Sequence, residues 1–435
     1  MSRISSVFLP TNEYLGILWA FAGVKDAVVI NHGTSGCNFY ELVTASKRTR
    51  ELIFNRFAST GLEQEDIALS GGDEKLKAAI TEMAARNDVS LIVIVANPVA
   101  ALIGVDIEAI AREAGQHIKQ PILTFNNKAW KENAENGVEE AIYELIRHYC
   151  SESELSEQKG RHSLDGVLRA NIIGPTAETF NWDADEKEIK RLLDLIGIEV
   201  NTVLTYETTT EQLKSVPDAS LNIVTRAAGL KTARYLEEHY GIPYIYGLPY
   251  GEKGTGEWLK QVAEAVGKEG PSPRFENDRP FSFHHYIEMI AGGEFYQRNW
   301  ITALSCPPAM AMGLVQLVKE DWHFPLVAVR LTTPPKANEI REIESLGVEK
   351  VLVTPGEREW KQVLEESQPF ILLGSAEDTS LAGEVPVQLR ITEPAYDCFS
   401  IFEGNPIVGW EGYQSLTQDL FNQISRYALR KKMNV

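Results

Sequence analysis

Apolar positions along the chain fall into short continuous runs that alternate with helix-spaced patterns. The clearest run is residues 91–95 (LIVIV), which has no polar interruption. Such a run is typical of a parallel strand that is buried on both faces of a sheet. Between the runs, residues 74–86 and 230–240 carry apolar side chains at helical spacing, and Asn12 is a suitable N-cap for a helix over residues 14–23. This alternation predicts an α/β fold with parallel sheets.

The predicted strands form three groups, separated by polar or Gly/Pro-rich stretches at residues 151–165 and 267–278. We therefore predict three Rossmann-like, doubly wound parallel-sheet domains: residues 1–165, residues 166–272, and residues 273–435 with a C-terminal helix at 416–430. Residues 62–72 are predicted to be a loop. The predicted strands are 27–30, 89–95, 121–125, 168–173, 199–204, 221–225, 243–246, 300–304, 326–331, 350–353, 370–373 and 385–389.

One predicted strand leads into a loop with candidate chemistry. The apolar residues 27–30 are followed by His32-Gly33, two small residues, and Gly36-Cys37. Open α/β sheets bind ligands at the carboxyl ends of their strands. The two glycines permit a close backbone approach to a bulky group. Gly33 and Gly36 are therefore predicted to contact a bound group.

Cys37 and His32 each have two interpretations. Cys37 is either a small buried side chain or an exposed thiolate ligand or nucleophile. His32 is either a structural residue that holds the loop through a backbone carbonyl or part of the binding site. One cysteine cannot hold a metal cluster alone, because a four-iron cluster needs about four protein ligands. If Cys37 is a ligand, the others come from elsewhere in the fold or from another chain.

The remaining cysteines are Cys150, Cys306 and Cys398, and none forms a CxxC pair or a zinc motif. Cys306 ends the first predicted strand of the third group, so it is a second candidate metal ligand beside the alternative of a packed core residue. Cysteines so few and so far apart favour a reducing cytosol over a disulfide framework.

Composition excludes several function classes. Of 435 residues, 44% are hydrophobic, and the net charge of −19 disfavours nucleic-acid binding. No apolar run reaches the roughly 18 residues of a membrane span, and the N-terminus carries no export pattern. Neither GxGxxG nor GxxxxGK[ST] occurs, so dinucleotide or ATP binding through those loops is not expected. We expect a cytoplasmic protein without membrane or nucleic-acid partners.

Several sequence elements, in order and spacing, resemble the nitrogenase component 1 family. That family includes the nitrogenase α and β chains, the scaffold chains that mature the nitrogenase cofactor, and the catalytic subunits of dark-operative protochlorophyllide reductase. The matching elements are residues 32–37 (HGTSGC), 97–107 (NPVAALIGVDI), 247–259 (GLPYGEKGTGEWL), 374–375 (GS) and 409–412 (GWEG).

The resemblance implies a shared iron–sulfur site. The α-type chains of the family carry three cluster cysteines, and here only Cys37 remains, with Asn97 at the third position. This pattern resembles the β-type partner chain, which supplies one ligand to a [4Fe-4S] cluster held mainly by an alpha-like subunit. The resemblance places Cys37, His32, Gly33, Gly36 and Asn97 around that cluster. It assigns no role to Cys306.

The resemblance also implies a function and partners. We predict a β-like subunit of a nitrogenase-like oxidoreductase or a cofactor-maturation scaffold, in a heterodimer or heterotetramer. An ATP-dependent iron protein reductase would supply electrons through the cluster. A further metal–sulfur cofactor or a tetrapyrrole substrate is compatible with either role. The alternatives are a non-redox protein that binds a small molecule in an interdomain cleft, and a sugar-nucleotide-type transferase.

Overall fold

A computed structural model of the chain describes residues 12–36, 53–69, 71–126, 133–150, 166–270, 300–335, 338–383, 385–395, 398 and 403–433. Cys37 lies outside the described residues, as does the polar stretch 151–165. Within the described residues, no helix is both long and apolar enough to span a membrane.

Thirteen strands of the described chain form three sheets, with four, four and five strands. The first sheet contains β1 (Ala27–His32), β2 (Phe57–Ser59), β3 (Leu91–Ala96) and β4 (Ile122–Phe125). The second contains β5 (Arg169–Ile173), β6 (Glu199–Leu204), β7 (Leu221–Val224) and β8 (Tyr244–Tyr246). The third contains β9 (Thr302–Cys306), β10 (Leu326–Leu331), β11 (Lys350–Val353), β12 (Ile371–Gly374) and β13 (Val387–Arg390).

Each sheet is doubly wound. The strand orders are β2-β1-β3-β4, β6-β5-β7-β8 and β11-β10-β9-β12-β13, and the neighbours pair in parallel, as between β1 and β3, β5 and β7, and β9 and β12. In each order the chain leaves a central strand to one side and then returns to the other. The switch points therefore lie between β1 and β3, between β5 and β7, and between β9 and β12. The predicted α/β fold with three doubly wound parallel sheets is confirmed.

Helices connect the strands. They are α1 (Glu13–Ala22), α2 (Gln64–Leu69), α3 (Asp73–Ala84), α4 (Pro98–Ile103), α5 (Ile107–Ala114), α6 (Ala134–Tyr149), α7 (Trp182–Leu195), α8 (Thr210–Leu213), α9 (Leu230–Tyr240), α10 (Glu252–Ala265), α11 (Pro308–Gln316), α12 (Glu339–Ser345), α13 (Glu357–Ser367), α14 (Ala376–Ala382) and α15 (Gly409–Met433).

The chain divides into two compact units, one formed by residues 1–178 and 200–244 and the other by residues 179–199 and 245–435. Each of the three predicted domain ranges contains one sheet. The boundaries of those three domains stay a prediction.

The first sheet is buried throughout its two central strands. All six residues of β1 and all six of β3 are buried. On one face, side chains such as Ile30 and Ile94 join Leu76 of α3 and Ile110 of α5 in one core cluster. The polar side chains of these two strands, Asn31 and His32, both lie at the end of β1.

Helices α1 and α6 cross at two glycines. A Cβ added to Gly16 would lie 1.9 Å from the Ala134 carbonyl oxygen, and one added to Gly137 would lie 1.9 Å from the Glu13 carbonyl oxygen. The two backbones are therefore in direct contact, and each helix needs glycine where it meets the other. The side chain of Asn12 caps α1 by accepting the Leu15 amide at 3.1 Å, as the sequence predicts.

Helix α10 is capped by a carboxylate from another element. It starts after Gly251, which has no side chain to cap it. Asp321, at the end of the π-helical turn that follows α11, accepts the Glu252 amide at 2.8 Å and the Lys253 amide at 3.4 Å. A Cβ on Gly251 would lie 2.2 Å from the Asp321 Oδ2 atom. Glycine thus makes room for the distant carboxylate that satisfies the helix end.

The C-terminal helix α15 is capped in the same way from α7. Asp185 accepts the Ile407 amide at 2.7 Å, and Glu188 accepts the Glu411 amide at 3.2 Å. Both carboxylates are buried, and burial raises the pKa of Asp185 to about 8. A Cβ on Gly409 would lie 2.3 Å from the Glu188 Oε1 atom.

Several predicted bounds differ from the structure by one or two residues, as for the predicted strand 300–304, which is Thr302–Cys306. Three differences are larger. Helix α15 begins at Gly409 rather than at 416, because the carboxylates that cap its start lie on a distant helix. The predicted loop 62–72 contains the short helix α2. Strand β2 has only three residues and follows a segment rich in Arg and Lys, so no apolar run indicates it.

The crossing of α1 and α6 gives a paired stability prediction. We expect Gly137→Ala to destabilise the protein by about 1–3 kcal/mol, because the new methyl group meets backbone that cannot move aside. We expect Gly256→Ala within α10 to stabilise it by about 0.5–1 kcal/mol, because no atom lies within 4 Å of the added Cβ. Urea unfolding of both variants measures the difference. Equal effects would contradict the direct backbone contact.

Candidate functional site

The candidate site lies at the first switch point, where β1 and β3 end side by side. His32 and Ala96 are the last paired residues of the two strands. The backbone N–H of Asn97 donates to the His32 carbonyl oxygen at 3.0 Å, so the two strands separate only beyond this pair. Gly33 then begins one loop, and Asn97 begins the other. The carboxyl ends of the two strands thus form the crevice in which open α/β sheets bind ligands.

His32 holds three segments of the site together. Its side chain is fully buried, its Nε2 lies 2.9 Å from the Gly71 carbonyl oxygen, and its Nδ1 lies 3.1 Å from the Thr60 Oγ1 atom. Because a carbonyl only accepts, Nε2 carries the proton and Nδ1 accepts from Thr60. The same Thr60 oxygen accepts the Gly33 amide at 3.1 Å. Both ring nitrogens are therefore engaged by the protein.

This arrangement matches the structural interpretation of His32, in which the residue holds the loop through a backbone carbonyl. Burial lowers the pKa of His32 below 6.5, and the Gly71 carbonyl and Asp73 oppose that shift. The ring is therefore neutral in the folded protein near neutral pH. A contact between His32 and a cofactor stays a prediction.

Asn97 caps α4 and packs on Gly33. Its Oδ1 atom accepts the Val99 amide at 2.9 Å and the Ala100 amide at 3.0 Å. Its Nδ2 atom is buried and has no hydrogen-bond partner among the described residues. A Cβ on Gly33 would lie 1.8 Å from this Nδ2 atom. Glycine is therefore required at position 33 because the Asn97 amide occupies the space of a side chain.

The described part of the loop ends at Gly36, and the space there is open. A Cβ added to Gly36 would meet no atom of the described residues within 4 Å. The next residue is Cys37, which lies outside the described residues. On the helix α4, which follows β3, Leu102 and Ile103 are 68% and 40% exposed. Among the described residues, the loop is thus packed at Gly33, where it leaves β1, and open at Gly36.

In the other two sheets, ion pairs of the chain lie near the carboxyl ends of strands. In the second sheet, Arg226 contacts Glu178 at 2.8 Å and also pairs with Glu135. In the third sheet, Arg330 of β10 contacts Asp378 of α14, the helix that follows β12, at 2.8 Å. The described residues 33–36 that follow β1 carry no charged side chain.

Cys306 lies in the second compact unit, at the end of β9. Its side chain is fully buried, and burial raises the pKa of its thiol well above the usual value, with Asp378 adding to the effect. In the part of the chain that the structure describes, no group of three His, Cys, Asp or Glu side chains could hold a metal ion. Cys306 therefore has no set of co-ligands there, and its ligation of a metal stays a prediction.

The sequence pattern misses Thr60, which connects His32 to Gly33. Thr60 follows β2, and this short strand has no apolar run to indicate it. The only local signal is the small polar run Ser59-Thr60-Gly61 after Phe57. The Asn97 side chain is predicted as a contact of the bound group, but its capping of α4 is a role that the structure adds.

Comparison with known proteins gives consistent results for nearly the whole chain. A family model described as nitrogenase component 1 type oxidoreductase matches residues 13–425. One subunit of the light-independent protochlorophyllide reductase of Nostoc sp. is 22% identical over 424 residues, which cover 95% of this chain and 82% of that protein. The corresponding protein of Zygnema circumcarinatum is 26% identical over 259 residues, which cover 59% of this chain and 50% of that protein.

Solved structures share the fold. Nitrogenase Cp1 at pH 6.5 aligns with a TM-score of 0.75 at 19% identity, covering 99% of this chain and 96% of that chain. Nitrogenase Cp1 at pH 5 aligns with a TM-score of 0.71 at 21% identity, covering 99% of this chain and 91% of that chain.

The buried neutral state of His32 predicts an acid-sensitive fold. Because its pKa is lower in the folded than in the unfolded state, the unfolded chain binds a proton more readily. His32 therefore contributes its stability fully above about pH 6.5 and loses it as the pH falls below that value. We expect His32→Gln to unfold at lower urea concentration at pH 8 but to lose less stability on acidification.

The matched control is His117→Gln, because His117 is exposed in the short 3₁₀ turn after α5. We expect this variant to retain the pH dependence of the parent protein. Urea midpoints of all three proteins between pH 5 and pH 8 measure the effect. If the urea midpoint of His32→Gln fell with pH as steeply as that of the parent protein, His32 would not be the cause of the acid sensitivity.

Proposed function

This chain belongs to the nitrogenase component 1 type oxidoreductases, and from that premise we propose that it is the β-like subunit of a nitrogenase-like reductase complex. In this proposal an alpha-like subunit and this chain hold a [4Fe-4S] cluster between them, and an ATP-dependent iron protein reductase supplies the electrons. The observation that carries the proposal is the first switch point, where one cysteine follows a loop whose far end is open.

The donor set at this site fits one ligand of a shared cluster. Cys37 supplies the only thiol of the loop, and the described residues contain no group of three metal-ligating side chains. Since a four-iron cluster needs about four ligands, we propose that a partner chain supplies the others. The open space at Gly36 and the unpaired, buried Nδ2 atom of Asn97 also suit an incoming polarisable group. When bound, such a cluster supplies one-electron transfer.

The residues of this chain would fix the loop and its surroundings. His32 and Thr60 tie the start of the loop to the segments after β2 and before α3. The buried strands β1 and β3 form an apolar floor beneath the site. Both features limit the movement of the loop and the access of water, and the protein sets a cluster's reduction potential through such surroundings.

The relatives support a reductase role over a scaffold role. The curated relatives are named as subunits of a light-independent protochlorophyllide reductase. We therefore propose a tetrapyrrole as the substrate class. A cofactor-maturation scaffold is the alternative, and metal analysis of the purified complex separates the two, because a loaded scaffold would carry metal beyond one four-iron cluster.

Leu102 and Ile103 support docking of the electron donor at this edge. The two apolar side chains lie exposed on α4, the helix that follows β3 at the same edge of the sheet. An obligate subunit interface is large and strongly apolar, whereas the encounter of electron-transfer partners is small. A pair of apolar residues therefore fits the transient reductase better than the permanent subunit.

Removal of the cysteine tests the cluster. We expect the complex of this chain with its alpha-like partner, purified without oxygen, to contain iron and to show the EPR signal of a reduced [4Fe-4S] cluster. We expect Cys37→Ala to lose most of both, because one of about four ligands is absent. Cys398→Ala is the control, since Cys398 is exposed and lies outside the elements of this site.

Two results would overturn the cluster proposal. One is a wild-type complex without iron, and the other is a Cys37→Ala complex with the iron and spectrum of the wild type. A colourless protein that binds a small metabolite without iron would favour the non-redox alternative.

Introducing a charge at Leu102 tests whether Leu102 and Ile103 of α4 form the docking surface for the electron donor. We expect Leu102→Glu to weaken binding of the reductase about tenfold, because a central apolar contact contributes about 1–2 kcal/mol. Leu429→Glu on α15 is the matched control, as Leu429 is 61% exposed and Leu102 is 68% exposed. Binding and electron-transfer rates of the assembled complex measure the effect. Weaker association with the alpha-like subunit instead would assign this edge to the permanent interface.

A further inference from the structure

In the family resemblance, Asn97 corresponds to a cluster cysteine of the α-type chains. Its free side-chain group is a hydrogen-bond donor rather than a metal ligand. We propose that its Nδ2 group donates a hydrogen bond to sulfur of the cluster held at the first switch point, and that Asn97 is not a ligand to iron. The proposal rests on the proposed function, since it concerns the same cluster. It assigns Asn97 the role of a residue that tunes the reduction potential.

The orientation of the Asn97 amide is fixed by the fold. Its Oδ1 atom accepts two backbone amides, from Val99 at 2.9 Å and from Ala100 at 3.0 Å. If the amide were flipped, NH₂ would face these two donors, and the cap of α4 would be lost. The oxygen, which is the atom that could bind a metal, is therefore already used. The remaining group of the side chain is NH₂, which can only donate hydrogen bonds.

The Nδ2 group has no acceptor among the described residues around it. It is fully buried and without a hydrogen-bond partner. It lies against Gly33, which has no side chain to offer. The Nε2 and Nδ1 atoms of His32, a buried polar side chain at the end of β1, are engaged with Gly71 and Thr60. A buried donor is costly when unpaired, so its retention here indicates an acceptor that the assembled site supplies.

Sulfur is the acceptor that the proposed site would bring. Hydrogen bonds to cluster sulfur stabilise the reduced state, which carries the greater negative charge, and so raise the reduction potential. The net charge of −19 on this chain acts in the opposite direction, since it disfavours an added electron. A neutral donor beside the cluster would offset part of that effect without adding a ligand.

Two substitutions of Asn97 distinguish its role as a hydrogen-bond donor from its role as the N-cap of α4. Asn97→Ser keeps an oxygen that can cap α4 but is too short to occupy the space over Gly33. Asn97→Ala loses both the cap and the donor. We expect both variants to shift the cluster's midpoint potential to more negative values by a similar amount. We expect only Asn97→Ala to have a clearly lower thermal midpoint.

The control is Asn133→Ala, which removes a neutral cap elsewhere in the same compact unit. Asn133 caps α6 by accepting the Asn136 amide at 3.2 Å. We expect this variant to have a lower thermal midpoint and an unchanged potential. The potentials come from redox titration of the anaerobic complex, followed by EPR, and the thermal midpoints come from the same preparations.

The outcomes distinguish this inference from the proposed function. An iron-free wild-type complex refutes the proposed function. A wild-type complex with iron, together with an Asn97→Ser variant of unchanged potential, refutes the donor role alone. Iron loss in Asn97→Ser equal to that of Cys37→Ala would identify Asn97 as a ligand and would likewise refute it.

Discussion

The burial of the first sheet on both faces confines the polar side chains of its two central strands to one strand end. In the first sheet, β1 and β3 are buried over their whole length. Asn31 and His32 end β1, and Asn97 follows β3 directly. The site is therefore a consequence of how the core is covered. The apolar floor, the neutral His32 and the enclosed Asn97 amide all derive from the same burial.

Much of the fold could be predicted from the sequence, and the rest depended on contacts between distant residues. Long apolar runs indicate their strands because each buried side chain is visible in the chain itself, and strand 326–331 and helix 230–240 occur at the predicted bounds. The start of α15 could not be predicted, because its caps Asp185 and Glu188 lie far away in sequence. Strand β2 is too short for an apolar run.

The candidate site shows the same division. The Gly-framed loop after β1 is visible in the sequence, since glycine and a strand end are local signals. The clamp through Thr60 is not, because it depends on a hydrogen bond between residues 28 positions apart. The packing of the Asn97 side chain on Gly33 is not visible either, because it joins the ends of two different strands. Gly33 illustrates what the sequence pattern cannot predict about the site. The sequence pattern assigns its lack of a side chain to a bound group, whereas in the structure the Asn97 amide fills that space.

The caps on α15 also determine when the second unit can form during synthesis. Asp185 and Glu188 lie on α7, and the amides that they accept belong to residues 407–411. The unit itself joins residues 179–199 to residues 245–435. On the ribosome, α7 therefore emerges more than two hundred residues before its partners, as the 222-residue separation of Asp185 and Ile407 shows. Until then the two carboxylates lack these amide partners, and the caps of this unit form only after residues 407–411 have been synthesised.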